Sequence, residues 1–180
     1  MHSPRYTDQI CSLIAADDVL SASPRIVMPA SLQVLSAFAL RQDLEAALSN
    51  ASLAGVEPLG LIIWAFSAGC VGAATLATHW QRYRGPVLAL FMVDGWGVPR
   101  DPDVIVHRLS HDRFTHDTSG WLGCGDEDFY AEPAVPHLDL WRHPQSVTGH
   151  IATTKRPEEQ ITAADFLCQR SRAYLGLAKS

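Results

Sequence analysis

The chain has 180 residues, 47% of them hydrophobic and 18% charged, which fits one globular domain and excludes a disordered, collagen-like or low-complexity chain. Its 14 Lys+Arg against 19 Asp+Glu leave a net charge of -5, and lysine occurs only at Lys155 and Lys179. A nucleic-acid backbone binder needs clustered cations, so no nucleic-acid partner is expected, and an acidic or phosphorylated partner is disfavoured for the same reason.

In chain order, Thr7–Leu20 reads as a short helix with Ile10, Leu13, Ile14 and Leu20 as its apolar members. Arg25–Met28, between Pro24 and Pro29, reads as a short buried strand, since prolines suit strand ends. Ser31–Ala54 reads as a helix. Its residues Leu40, Leu44, Ala47 and Leu48 recur at the spacing of one buried face, and Gly55 closes it.

Leu59–Phe66 contains no polar residue, as a strand covered on both faces would not. Ala68–Arg84 has helix composition with cations in its last turn. Pro86–Val93 is a second continuous apolar run and reads as another central strand. Residues 98–132, rich in His, Asp, Gly and aromatics, read as a cap or irregular insertion. Ala134–Trp141 reads as a short strand near an edge, residues 142–161 as a loop, and Ala163–Leu177 as the last helix. Thr162 and Asp165 supply the T-x-x-D form of a capping box there.

This alternation implies an α/β sandwich, a mainly parallel sheet between helices, as one domain over 1–180. In such sheets ligands bind beyond the carboxyl ends of the strands, here near 29–31, 67–69, 94–97 and the segment after Trp141. The apolar runs are shorter than the ~20 residues a bilayer span takes, so no membrane span is expected. No secretory leader is evident at the N-terminus, and Cys11, Cys70, Cys124 and Cys168 form no C-x-x-C pair. A cytoplasmic protein with reduced thiols is the expectation.

The most informative stretch is Trp64-Ala-Phe-Ser67-Ala-Gly69-Cys-Val-Gly72. A buried strand turns into a helix at a serine flanked by Ala65 and Gly69. This resembles the G-x-S-x-G nucleophile elbow of the α/β-hydrolase family, with Ala65 in place of the first glycine. Small flanking residues are needed where strand and helix crowd against the turn, so a large residue at Gly69 is expected to distort it.

The resemblance runs over roughly Arg25–Leu177 and implies a compact hydrolase fold with a catalytic triad in the order nucleophile, acid, base. Ser67 would be the nucleophile. Asp94, directly after the second apolar run, would be the acid. His150, in Gly149-His150-Ile151 ahead of the last helix, would be the base. The Ala68 N–H would be one oxyanion donor and Ala30, or Ser31, the second. The implied activity is hydrolysis of an ester, thioester or amide through an acyl-enzyme, on a small acyl substrate, with no cofactor and no metal. About four strands are readable where the family usually has eight, and no His-Gly oxyanion motif is present. A hydrolase-fold binding or assembly module is therefore the competing reading.

Plainer roles stand beside these. Ser67 also suits an ordinary strand–helix junction, and Asp94-Gly95 is common turn chemistry. Competing bases are His137, His143, His116 and His111; competing acids are Asp117 and Asp139. His107 and His111 are four apart, as in helical zinc sites, but the glutamate of H-E-x-x-H is missing. Trp96, Trp121, Phe129, Tyr130 and Trp141 would suit either an apolar pocket or plain packing. Cys70 is expected buried against the sheet and Cys124 exposed.

Overall fold

The computed structural model describes residues 4–28, 31–51, 60–152 and 160–177. In chain order these form α1 (Pro4–Ala15), α2 (Ala37–Asn50), β1 (Leu61–Phe66), α3 (Gly69–Tyr83), β2 (Val87–Val93), β3 (Val106–Ser110), α4 (Arg113–Ser119), β4 (Asp128–Ala131), α5 (Asp139–Arg142), β5 (Thr148–Ala152), β6 (Gln160–Thr162) and α6 (Ala163–Leu177). The six strands make one sheet in sequential order, with β1 and β6 at its edges. The pairs from β1 to β4 are parallel; β5 is antiparallel to both β4 and β6.

The apolar runs form strands because each alternate side chain finds a helix layer. From β2, Leu90 and Met92 join Ala65, Val106 and the α2 and α3 residues Leu40, Leu44, Leu76 and Trp80 in one core. Ala89, Phe91 and Val93 point the other way, into a second core with Phe129, Trp141, Phe166 and Leu167. A strand inside a three-layer sandwich has no solvent face to mark with polar residues, hence the unbroken apolar sequence.

Several elements differ from the sequence-based expectation. Residues 24–28 carry no strand, although Ile26 and Met28 pack on the first core. Ser31–Ala54 breaks at Ser36, whose Oγ accepts from the Ala39 N–H and so starts α2 afresh after a 3-10 turn over Leu32–Leu35. The stretch 98–132 is neither cap nor insertion: it supplies β3 and β4, two strands of the parallel sheet. The reason is that β3 buries His107 and Arg108, residues that ordinarily mark a surface.

Both polar side chains are satisfied. His107 Nδ1 lies 2.6 Å from the Glu127 carbonyl, which only accepts, so Nδ1 carries the proton. Nε2 then accepts from the Tyr174 hydroxyl at 2.7 Å and pins α6 to the sheet. Burial holds the His107 pKa below its ordinary value. The Arg108 guanidinium donates to the carbonyls of Val98 and Gly123, fastening the two loops on either side of it.

The expected strand 134–141 is instead a loop ending in α5, and the expected loop 142–161 contains β5 and the start of β6. The last helix forms at the expected residues, and Thr162 caps it by accepting from the Asp165 N–H at 3.0 Å.

Crowding around α3 also falls elsewhere than expected. A Cβ added at Gly69 would meet nothing within 4 Å, whereas one at Gly72 would strike the Val34 carbonyl oxygen. A Cβ added at Gly95 would come within 2.8 Å of Cys70 Cβ and 2.9 Å of its Sγ. Opposite effects are therefore expected from two alanine substitutions in one helix. Gly69→Ala should stabilise by about 0.4–1 kcal/mol through lost unfolded-state freedom. Gly72→Ala gains helix propensity but collides with backbone, and should destabilise by about 1–3 kcal/mol. Urea unfolding of the two variants measures both.

Candidate functional site

The parallel strands β1, β2 and β3 deliver Ser67, Asp94 and His111 to one edge of the sheet. Ser67 follows β1 directly and Asp94 follows β2 directly. Their backbones repeat one geometry: φ is +47° at Ser67 and +49° at Asp94, the left-handed region that non-glycine residues seldom occupy. Each N–H donates to the end of the neighbouring strand, Ser67 to the Val93 carbonyl and Asp94 to the Leu109 carbonyl, both at 2.7 Å. Among the described residues these are the only non-glycine positions with positive φ. Such strain persists where the surroundings over-determine it, and it clusters at functional sites.

Asp94 is the centre of the arrangement. Its side chain is 2% exposed, yet each oxygen is satisfied. Oδ1 accepts the His111 backbone N–H at 2.9 Å. Oδ2 takes two imidazoles, His111 Nδ1 at 3.0 Å and His137 Nδ1 at 2.7 Å. An ionised carboxylate only accepts, so both Nδ1 atoms carry protons in this geometry.

The two rings differ at their other nitrogen. His111 Nε2 lies 3.5 Å from Asp112 Oδ2, the carboxylate that caps α4. His137 belongs to the loop between β4 and α5, tied to His111 by the Val135 N–H donating to the His111 carbonyl. The Trp141 ring stands between Phe66 and His137, with centroids 4.2 and 6.3 Å away, and links the end of β1 to that loop. The hydrogen bond to Asp94 holds the His137 pKa above its ordinary value, against a partial desolvation.

Beside this cluster lies a depression of about 310 Å³, lined by Asp94, Trp96, His111, Phe114, Thr115 and His137. Trp96 and Phe114 are exposed there, and Trp96 Nε1 donates to Thr118 Oγ1, which ties the loop after β2 to α4.

Of the residues singled out from sequence, Ser67 and Asp94 are on neighbouring strand ends. Ala68 is exposed at the start of α3, where the first N–H groups of a helix have no intrahelical acceptor. Ala30 lies outside the described residues. His150 is not brought to this corner. It sits within β5, four strands from β1, roughly 19 Å across at the usual strand spacing. Its Nε2 faces Glu132 Oε2 at 3.2 Å.

His116 stacks on Tyr130, Asp117 pairs with Arg113, Asp139 opens α5 and His143 ends it. His107 and His111 do not form a metal pair, because β3 is a strand and His107 is engaged by Glu127 and Tyr174. Cys70 is buried with its pKa pushed up by burial, and Cys124 is exposed.

His137 was visible in sequence only as one competing base among several. It lies in the loop that follows the last parallel strand, β4, just ahead of α5. No protein-family model matches this chain, and neither a curated protein nor a solved structure does.

The Asp94–His137 pair sets a pH dependence. A histidine whose folded pKa is raised contributes stability that is full below its unfolded value, ~6.5, and is lost as pH rises through the folded value. His137→Asn should therefore lower Tm more near pH ~5.5 than near pH ~8.5. Thermal melts of wild type and variant at the two pH values test this, and an equal loss at both would contradict it.

Proposed function

We propose that the chain is a serine hydrolase of the α/β-hydrolase type, with Ser67 as nucleophile, His137 as base and Asp94 as acid, acting on an ester, thioester or amide. The observation that carries the reading is the left-handed turn at Ser67, between a buried strand and a helix start, beside a strand end whose carboxylate holds an imidazole.

Chemically, the serine hydroxyl attacks the substrate carbonyl as its proton passes to His137 Nε2. Asp94, already bonded to Nδ1–H, fixes that tautomer and stabilises the imidazolium that forms. The Ala68 N–H faces the developing oxyanion, and the imidazolium returns its proton to the leaving group. Water then repeats the sequence to release the acid. His137 is preferred to His111 because His111 Nε2 is directed to Asp112. The Trp96 and Phe114 rings suit an apolar portion of the substrate.

The binding-module reading retains one supporting observation: Ser67 is not among the residues lining the depression beside His137. A fluorophosphonate probe separates the two. Wild type should label rapidly and Ser67→Ala not at all. His137→Asn should slow labelling by ~10³-fold or more, while His150→Ala leaves it unchanged. An unlabelled wild type, or label retained in Ser67→Ala, would end the hydrolase reading.

A further inference from the structure

A triad needs one imidazole on its acid, and this site has two. His111 is surplus to the proton relay, yet its Nδ1 converges on the same Asp94 oxygen that His137 occupies. The three atoms, two imidazole nitrogens and one carboxylate oxygen, all lie within 4.8 Å of one another. A tetrahedral zinc ion with ligands at ~2.0–2.2 Å would separate them by roughly 3.4 Å. To reach that coordination triangle the two N···O separations, 3.0 and 2.7 Å, must open and the two imidazole nitrogens settle at the same spacing. The donor set, two imidazoles and one carboxylate with a further position toward the depression, is one that suits zinc and neighbouring divalent ions. The carboxylate is already desolvated, and its other oxygen is fixed by the His111 N–H, a support that orients a ligand.

We infer that Asp94, His111 and His137 bind a zinc-type divalent ion, and that occupation switches the proton relay off. The inhibitory part rests on the hydrolase reading; the binding part does not. The switch follows from the tautomer. In the metal-free site His137 carries its proton on Nδ1 and offers the Nε2 lone pair to the serine. A metal takes the Nδ1 lone pair, so the proton resides on Nε2, which can no longer accept one. Both rings must give up their Nδ1 proton for the metal to bind: in a ring that starts neutral it moves to Nε2 with no net release, on His111 toward Asp112, and a ring that starts as imidazolium releases one proton. Asp94, His111 and Asp112 are the titratable groups that face His137 in the cluster.

Equilibrium dialysis of the full chain against Zn2+, with metal analysis, should find a single bound ion that a chelator removes. Both His111→Gln and Asp94→Asn should weaken binding by at least ~10-fold, with folding verified by circular dichroism. Co2+ substituted for Zn2+ should give the intense visible absorption of a tetrahedral site. In parallel, Zn2+ should suppress fluorophosphonate labelling of wild type, and Ser67→Ala should bind the ion unchanged. Absence of a stoichiometric ion, or affinity unaltered in folded His111→Gln, overturns the metal site. Binding without any labelling of metal-free wild type keeps the site and removes the hydrolase reading and the switch. Binding without suppression of labelling overturns the switch alone.

Discussion

The geometry at the sheet edge depends on one buried carboxylate. A charge withdrawn from water must be repaid by hydrogen bonds, and Asp94 collects three on two oxygens. Those bonds come from separate pieces of chain, the turn after β3 and the loop after β4. Neither piece is held there by apolar packing alone. The left-handed backbone at Asp94 aims the side chain into that space, and the paired turn at Ser67 follows from the same sheet register.

The architecture supports the site by leaving no choice about where the strand ends fall. Phe91 and Val93 are sealed by the α6 layer, Leu90 and Met92 by α3. A one-residue slip of β2 would exchange these faces, so its register is fixed and Asp94 emerges at one place. Small residues complete the fit. Gly95 and Gly72 allow the end of β2 and the segment before α2 to reach α3, and Cys70 fills the space beside Gly95.

Much of this was legible from residue order. The two apolar strands, the serine turn, the position of Asp94 and the whole of α6 followed from patterns that depend on local chemistry alone. What was hidden had a common physical cause. β3 contains His107 and Arg108, and their burial is licensed by Glu127, Tyr174, Val98 and Gly123, partners far along the chain. With β3 concealed, the four-residue β4 is concealed too, and the segment 134–141 reads as the strand that it follows. That displacement directs attention to His150, in β5, rather than to His137, in the loop after β4.

Sequential strand order has one further implication. β1, a strand with no polar residue, ends up at the rim, so along one side its peptide groups meet no partner among the described strands. Rows of that kind invite another extended segment to zip alongside. Because Ser67 caps the same strand, a segment annealing there would run directly past the serine corner, and growth of the sheet and access to that corner become a single geometric question.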